Sequence, residues 1–95
     1  MNIKLTPEFV AWQKTLRDQK ARARIAACIE RVRRGALGDH RSVGNGVQEL
    51  RIDFGLGYRV YFARRGGTLI ILLTAGDKGS QRRDIAKAKQ LAKEY

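Results

Sequence analysis

Several residue types are scarce in this chain, and each scarcity excludes a class of chemistry. Cys28 is the only cysteine, so no intramolecular disulfide forms, and its apolar neighbours at helical spacing predict a core position. His40 is the only histidine, which excludes catalysis by paired histidines. The 9 carboxylates follow no metal-ligand spacing, so we expect neither a metal site nor a cofactor.

Long apolar runs are absent as well. No stretch of about 18 apolar residues could span a membrane, and the first residues lack the apolar segment of a secretion signal. We therefore expect a cytoplasmic protein with no membrane partner. A chain of 95 residues that is 43% hydrophobic fits a single domain, residues 1–95, with one modest core.

Acidic residues are few relative to basic ones. The chain carries 20 Lys and Arg against 9 Asp and Glu, which gives a net charge of +11. Such a charge on a short chain favours a polyanionic partner, with nucleic acid as the first choice. An acidic protein partner, or charge without a specific partner, are the alternatives.

The order of secondary-structure signals predicts an α+β fold. Thr6-Pro7-Glu8 combines a capping hydroxyl, a proline at the first helical position and an acid in the first turn. Asp18 and Ser80 are the expected caps of two further helices. The predicted elements are an edge strand over 2–5, helices over 7–17, 19–34 and 81–94, a glycine-rich loop over 35–46, and strands over 47–54, 58–65 and 68–75. We expect the first two helices to form a hairpin that packs on a mainly antiparallel sheet, with the third of these strands central.

Two arginines fall inside the predicted strands. Alternation places Leu50 and Ile52 on one face of the first hairpin strand and Arg51 on the other. Arg59 and Tyr61 share that second face, which we expect to be the more open one. The ordinary explanation is a surface ion pair, of Arg51 with Glu49 or Asp53 and of Arg59 with a neighbouring carboxylate.

The segment after the third strand favours phosphate binding instead. Residues 75–83 (AGDKGSQRR) enter a helix N-terminus, where backbone N–H groups attract anions, and Lys78 adds a full charge. RNA cleavage can use the 2′-hydroxyl as nucleophile, so the protein has to clamp the phosphate and move protons. Tyr61 could stack on a base. The residues predicted to bind RNA are Arg64, Arg65, Arg83, Tyr61 and His40.

Three linked segments, E-L-R, G-Y-R-V-Y-F and G-D-K-x-x-Q-x-x-D-I, resemble the RelE/ParE superfamily of toxins. The resemblance is to the HigB-like, phage-derived Gp49-like group, often called addiction module killer proteins. TPEFVAWQKTLRD is similar to the first helix of that family, so the resemblance covers nearly the whole chain. It implies a type II toxin with this α+β fold, a helix-turn-helix antitoxin of the Xre type, and ribosome-dependent cleavage of mRNA.

The resemblance also implies roles for individual residues. Arg51 and Arg59 match arginines of the hairpin, the second of which contacts the scissile phosphate in RelE-like enzymes. Lys78 and Arg82 match the basic segment before the last helix, and we predict all four as catalytic.

A tyrosine that acts on the 2′-hydroxyl in RelE-like toxins has no counterpart here, since Ile85 and Ala86 occupy the region. His40, Asp77 and Lys78 are then the candidates for the general base. Two alternative functions stay open, because ParE-like members inhibit DNA gyrase without cutting RNA and a basic module can bind nucleic acid without catalysis.

Overall fold

Three α-helices and five strands make up the fold, which confirms the expected α+β class. The computed structural model describes all residues, 1–95. Along the chain the elements are β1 (Asn2–Leu5), α1 (Pro7–Thr15), α2 (Gln19–Arg33), β2 (His40–Gly44), β3 (Val47–Ile52), β4 (Tyr58–Arg65), β5 (Leu69–Gly76), a 3-10 turn (Lys78–Ser80) and α3 (Gln81–Ala92). None of the helices combines the length and the apolar character that crossing a membrane requires.

The five strands form one mixed sheet in the order β1-β5-β4-β3-β2. β1 runs parallel to β5, and the other neighbours are antiparallel, so the prediction of a mainly antiparallel sheet is confirmed. β5 lies inside the sheet, as predicted, although β4 occupies the exact middle of the order. The β3–β4 register places Arg51 directly opposite Arg59. Paired residues project to the same face, so the two arginines share one side of the sheet.

The expected loop over 35–46 is wrong in part, because β2 lies within it. Arg41 pairs with Glu49 of β3, and the strand forms the edge of the sheet. Left-handed backbone at Gly44, Asn45 and Gly46, with φ of 95°, 57° and 75°, makes the turn into β3. Glycine adopts this left-handed backbone without strain, so the turn accounts for Gly44 and Gly46.

Helices α1 and α2 cover one face of the sheet. Thr6 caps α1, since its hydroxyl accepts from the Phe9 N–H at 3.0 Å and donates to the Leu73 carbonyl at 2.6 Å, which fixes the helix to β5. Phe9 from α1 and Ile25 from α2 belong to one buried cluster with the apolar side chains of β3, β4 and β5. The two helices thus lie on the same side of the sheet.

The opposite face is not open, contrary to the expectation from alternation. α3 packs across it, and its Ala88 and Leu91 form a second buried cluster with Tyr61 and Leu73 of the sheet. Tyr61 has no exposed surface. The end of this face near the β3–β4 turn stays accessible, and Arg51 and Arg59 lie there.

Candidate functional site

A buried carboxylate lies at the centre of the candidate site. Glu49 points from β3 toward α3 and its side chain is 0% exposed. Its oxygens accept three hydrogen bonds, from Arg41 Nε at 2.9 Å, Gln81 Nε2 at 2.9 Å and the Tyr61 hydroxyl at 3.1 Å. A buried charge requires such partners. Glu49 therefore ties β2, β4 and the start of α3 to one point.

Three arginines surround this carboxylate, and each of them points the Nε atom of its guanidinium group toward it. The Nε atom of Arg41 lies 2.9 Å from Oε1, that of Arg51 lies 3.5 Å from Oε1, and that of Arg59 lies 3.9 Å from Oε2. A guanidinium that presents Nε inward keeps its terminal amino groups for other acceptors. Three positive charges against one negative charge leave an excess of two at the cluster.

Ionisation of the cluster follows from its contacts. Burial alone would raise the pKa of Glu49, but the hydrogen bonds from Arg41, Gln81 and Tyr61 outweigh it and hold that pKa below its usual value. Burial, followed by the charge of Glu49, raises the pKa of the Tyr61 hydroxyl. Glu49 is thus charged and Tyr61 neutral at physiological pH. With both oxygens occupied and no exposed surface, Glu49 is not placed to take a proton from a substrate.

A cleft of about 280 Å³ opens beside the cluster at the end of the β3–β4 hairpin. The structure brings Arg51, Arg59 and Lys78 together in its wall, from β3, β4 and the 3-10 turn. The other lining residues are Asp39, Ile52, Asp53, Gly57 and Tyr58. Because no basic side chain lies within ion-pair distance of either aspartate, the cleft offers positive charge and two free carboxylates side by side.

The position of Arg59 depends on the glycine turn before it. Gly57 has φ of 76°, and its carbonyl accepts from Arg59 Nη1 at 2.8 Å. A Cβ on Gly57 would lie 3.5 Å from Arg59 Nη1 and 3.6 Å from Lys78 Cβ. The guanidinium is mostly buried, with 12% of the side chain exposed, and its Nε has no hydrogen-bond acceptor. Arg59 is thus held firmly, which suits a residue that must contact a reacting phosphate.

The other predicted site residues are distributed around the molecule. Arg82 lines a neighbouring cleft of about 390 Å³ together with Lys78. Arg83 lines a larger cleft of about 600 Å³ between α1 and α3, which also contains Asp77. Asp77 caps the 3-10 turn, since its Oδ1 accepts from the Gly79 N–H at 2.8 Å.

Arg64 and Arg65 lie at the far end of β4 from Arg59. Arg65 donates to the Tyr95 carbonyl and to the carbonyl of Ala92, both at 2.9 Å, and so holds the C-terminal end of α3. The structure therefore separates both arginines from the cleft.

Tyr61 and His40 also lie away from the cleft. The full burial of Tyr61 prevents it from stacking on a base, because its ring packs in the α3 cluster. His40 pairs with Leu50, so it projects to the face of α1 and α2, and its Nδ1 lies 2.8 Å from the Gly38 carbonyl.

Several residues of the site were not predicted from sequence. Glu49 was considered only as an ion-pair partner of Arg51 and not as a buried centre. Arg41 was not predicted because it lies in the segment that we expected to be a loop. Once β2 is known, its register places Arg41 directly opposite Glu49 and so on the same face of the sheet. Asp53 was predicted only as an ion-pair partner of Arg51, and Asp39 gave no signal because it enters the cleft from a loop.

The family model of phage-derived Gp49-like proteins (DUF891) matches residues 12–94, which include the whole arginine cluster and Lys78. The chain belongs to this family. The Gp49-like family is associated with toxin–antitoxin addiction modules and is the addiction module killer group, so it implies an antitoxin partner.

A relative of this Gp49-like protein occurs in Haemophilus influenzae. The two chains are 48% identical over 94 residues, covering 99% of this chain and 95% of the relative, which is described as an uncharacterized protein. The wider relationship to RelE and ParE, which the motifs suggested, stays a prediction.

Proposed function

We propose that this Gp49-like protein is the toxin of a type II toxin–antitoxin module and that it inhibits translation by cleaving mRNA on the ribosome. The observation that carries the proposal is the convergence of Arg51, Arg59 and Lys78 in one cleft. Three basic side chains against the two carboxylates of the cleft, Asp39 and Asp53, leave one positive charge in excess. A cleft with excess positive charge and a guanidinium group held in place, that of Arg59, suits a phosphodiester.

In the proposed reaction the ribose 2′-hydroxyl attacks the adjacent phosphorus. The new P–O2′ bond forms as the P–O5′ bond breaks, and a 2′,3′-cyclic phosphate and a 5′-hydroxyl result. Arg59 and Arg51 bind the non-bridging oxygens and stabilise the charge that grows on them in the transition state. Because the Arg59 guanidinium is largely buried and held by the Gly57 carbonyl before RNA arrives, it needs little reorganisation in the step.

Two proton transfers complete the reaction. Lys78 is the proposed acid, which protonates the leaving O5′ atom from the mouth of the cleft. The proposed base is one of the two cleft carboxylates, Asp39 or Asp53, which takes the proton of the 2′-hydroxyl. His40 and Asp77 lie outside this cleft, so we do not assign them the role. Asp39→Asn and Asp53→Asn identify the base, since only one of them should abolish cleavage.

The proposed biological setting follows from the family. The antitoxin partner is proposed to be a helix-turn-helix protein of the Xre type, and the toxin to act in the cytoplasm. The net charge of +11 supports contact with a ribosome, whose surface is largely RNA.

A purified translation reaction tests the proposal. Added protein should stop synthesis, and primer extension on the mRNA should show new ends that appear only when ribosomes are translating. A parallel DNA supercoiling assay addresses the ParE-like alternative. Intact mRNA together with inhibited gyrase would overturn the nuclease proposal.

Variants of the site residues test, in the same assay, whether these residues take part in cleavage. Arg51→Ala and Arg59→Ala should each lower the cleavage rate by about 100-fold or more, the usual effect of losing one donor to transition-state charge. The matched control is Arg33→Ala, which removes one exposed positive charge from the C-terminal end of α2, on the other face of the sheet. Circular dichroism would verify that all three variants fold.

A further inference from the structure

The cleft next to the proposed active site carries its own set of cations. Arg41, Lys78 and Arg82 line it, with Gly79, Gln81 and Ile85. Its volume is about 390 Å³, larger than the 280 Å³ of the cleft at Arg59. Lys78 lines both clefts, so the two clefts are neighbours. No carboxylate is among the lining residues of this second cleft.

The cations of this cleft are available to a ligand. Arg41 uses only its Nε, on Glu49, so both of its terminal amino groups lack a protein acceptor. Neither Lys78 nor Arg82 forms a salt bridge. Glu49 also holds the Gln81 side chain at 2.9 Å, so the same buried carboxylate fixes two parts of the wall.

The start of α3 adds partial positive charge to the same cleft. Ser80 occupies the N-cap position, but its hydroxyl donates to Asp84 and makes no capping hydrogen bond to the helix. The first N–H groups of a helix have no intrahelical acceptor, and here the expected cap does not supply one. An anion held by Arg41 and Arg82 would lie at this helix end, where the helix dipole favours it.

We propose that the cleft of Arg41, Lys78 and Arg82 is a second phosphate site, which binds the phosphate adjacent to the scissile one on a single RNA strand. The inference rests on the proposed function, because it takes RNA as the substrate. Glu49 links the two sites physically: Arg41 and Arg51 approach the same oxygen, Oε1, from the two clefts. One strand can therefore place successive phosphates on the two sides of a single buried carboxylate.

Salt dependence of RNA binding tests this site. The probe is a fluorescein-labelled single-stranded RNA pentamer with 2′-O-methyl ribose, which has no free 2′-hydroxyl and cannot be cleaved. Each phosphate contact on a single strand contributes about 0.7 to the slope of log affinity against log salt. Because Arg41 and Arg82 hold the same phosphate, Arg41→Gln and Arg82→Gln should each lower the slope by up to about 0.7. Arg59→Gln should lower the slope in the same way through the first site.

One control variant and the exposed position of Arg82 make the outcome decisive. Arg33→Gln removes an equal charge far from both clefts and should leave the slope unchanged. Arg82 is exposed at the start of α3, so its variant tests the site even if Arg41→Gln disturbs the Glu49 cluster.

The second site would be overturned if Arg41→Gln and Arg82→Gln had the same slope as Arg33→Gln while Arg59→Gln had a reduced slope. That result would leave the proposed function intact. No binding by the unmodified protein would overturn the second site, whereas the translation reaction tests the proposed function separately. An unchanged slope for Arg59→Gln would overturn the phosphate contact of the first site as well.

Discussion

Replacing Glu49 by glutamine tests the buried carboxylate that organises the site. The change keeps the shape of the side chain but removes its charge, and it turns an NH2 group toward donors that need an acceptor. Three hydrogen bonds to a charged group are worth about 1.5 to 3 kcal/mol each, against a burial penalty of several kcal/mol. The expected net loss is about 3 kcal/mol of unfolding free energy, the range seen when one partner of a buried ion pair is removed.

Urea unfolding at pH 7, followed by circular dichroism, measures this loss. A loss of about 3 kcal/mol corresponds to a melting temperature lower by about 12 to 24 °C for a domain of this size. The control is Glu30→Gln, which breaks only the exposed pair with Arg33 at 3.3 Å and should change stability by less than about 1 kcal/mol.

Lowering the pH should reduce the difference in unfolding free energy between the wild type and Glu49→Gln. The pKa of Glu49 is lower in the folded state than its ordinary value, so its stabilisation is complete above pH of about 4.3 and is lost as pH falls through the folded-state pKa. The gap between wild type and Glu49→Gln should therefore shrink below pH 4. A variant as stable as the wild type at pH 7, or a gap that persists unchanged in acid, would refute the central role of this carboxylate.

Two other predictions concern the parts of the fold that frame the site. Gly76→Ala should lower the free energy of unfolding by about 2 kcal/mol, because a Cβ there would overlap the Asp84 carboxylate. The control is Gly67→Ala, which should have little effect because no atom lies within 4 Å of the added Cβ. Thermal unfolding measures both variants. Burial and the charge of Glu49 raise the pKa of Tyr61, so its stabilisation is complete below pH of about 10 and is lost at higher pH. Unfolding free energy should then fall more steeply above pH 10 in the wild type than in Tyr61→Phe, and parallel curves would contradict the assignment.

Local signals predicted the elements well where they were strong. Thr6 caps α1 as its sequence suggested, and Asp18 caps α2 by accepting from the Lys20 N–H at 2.9 Å. β2 escaped prediction because its five residues, HRSVG, are mostly exposed and carry no apolar alternation. Such a strand forms because an adjacent hairpin partner supplies its hydrogen bonds, which is a property of the sheet and not of the segment.

The candidate site could be predicted only in part, for a different reason. Alternation correctly placed Arg51 and Arg59 on one face, since direction follows from the strand itself. Alternation did not indicate how deeply each side chain is buried, because burial depends on where α3 crosses the sheet. Burial of Glu49 and Tyr61 by that helix converts a row of surface charges into a fixed cluster, and only the packed structure shows it.

The chemistry of the cut ends tests the central claim most directly. In a purified translation reaction, the wild-type protein should release fragments with a 2′,3′-cyclic phosphate or 3′-phosphate and a 5′-hydroxyl. Replacing the ribose at the cut position by 2′-deoxyribose should abolish that cut, and Arg59→Ala should give no fragments while still folding. Intact mRNA with the wild-type protein, 5′-phosphate ends, or full cleavage by Arg59→Ala would contradict the account.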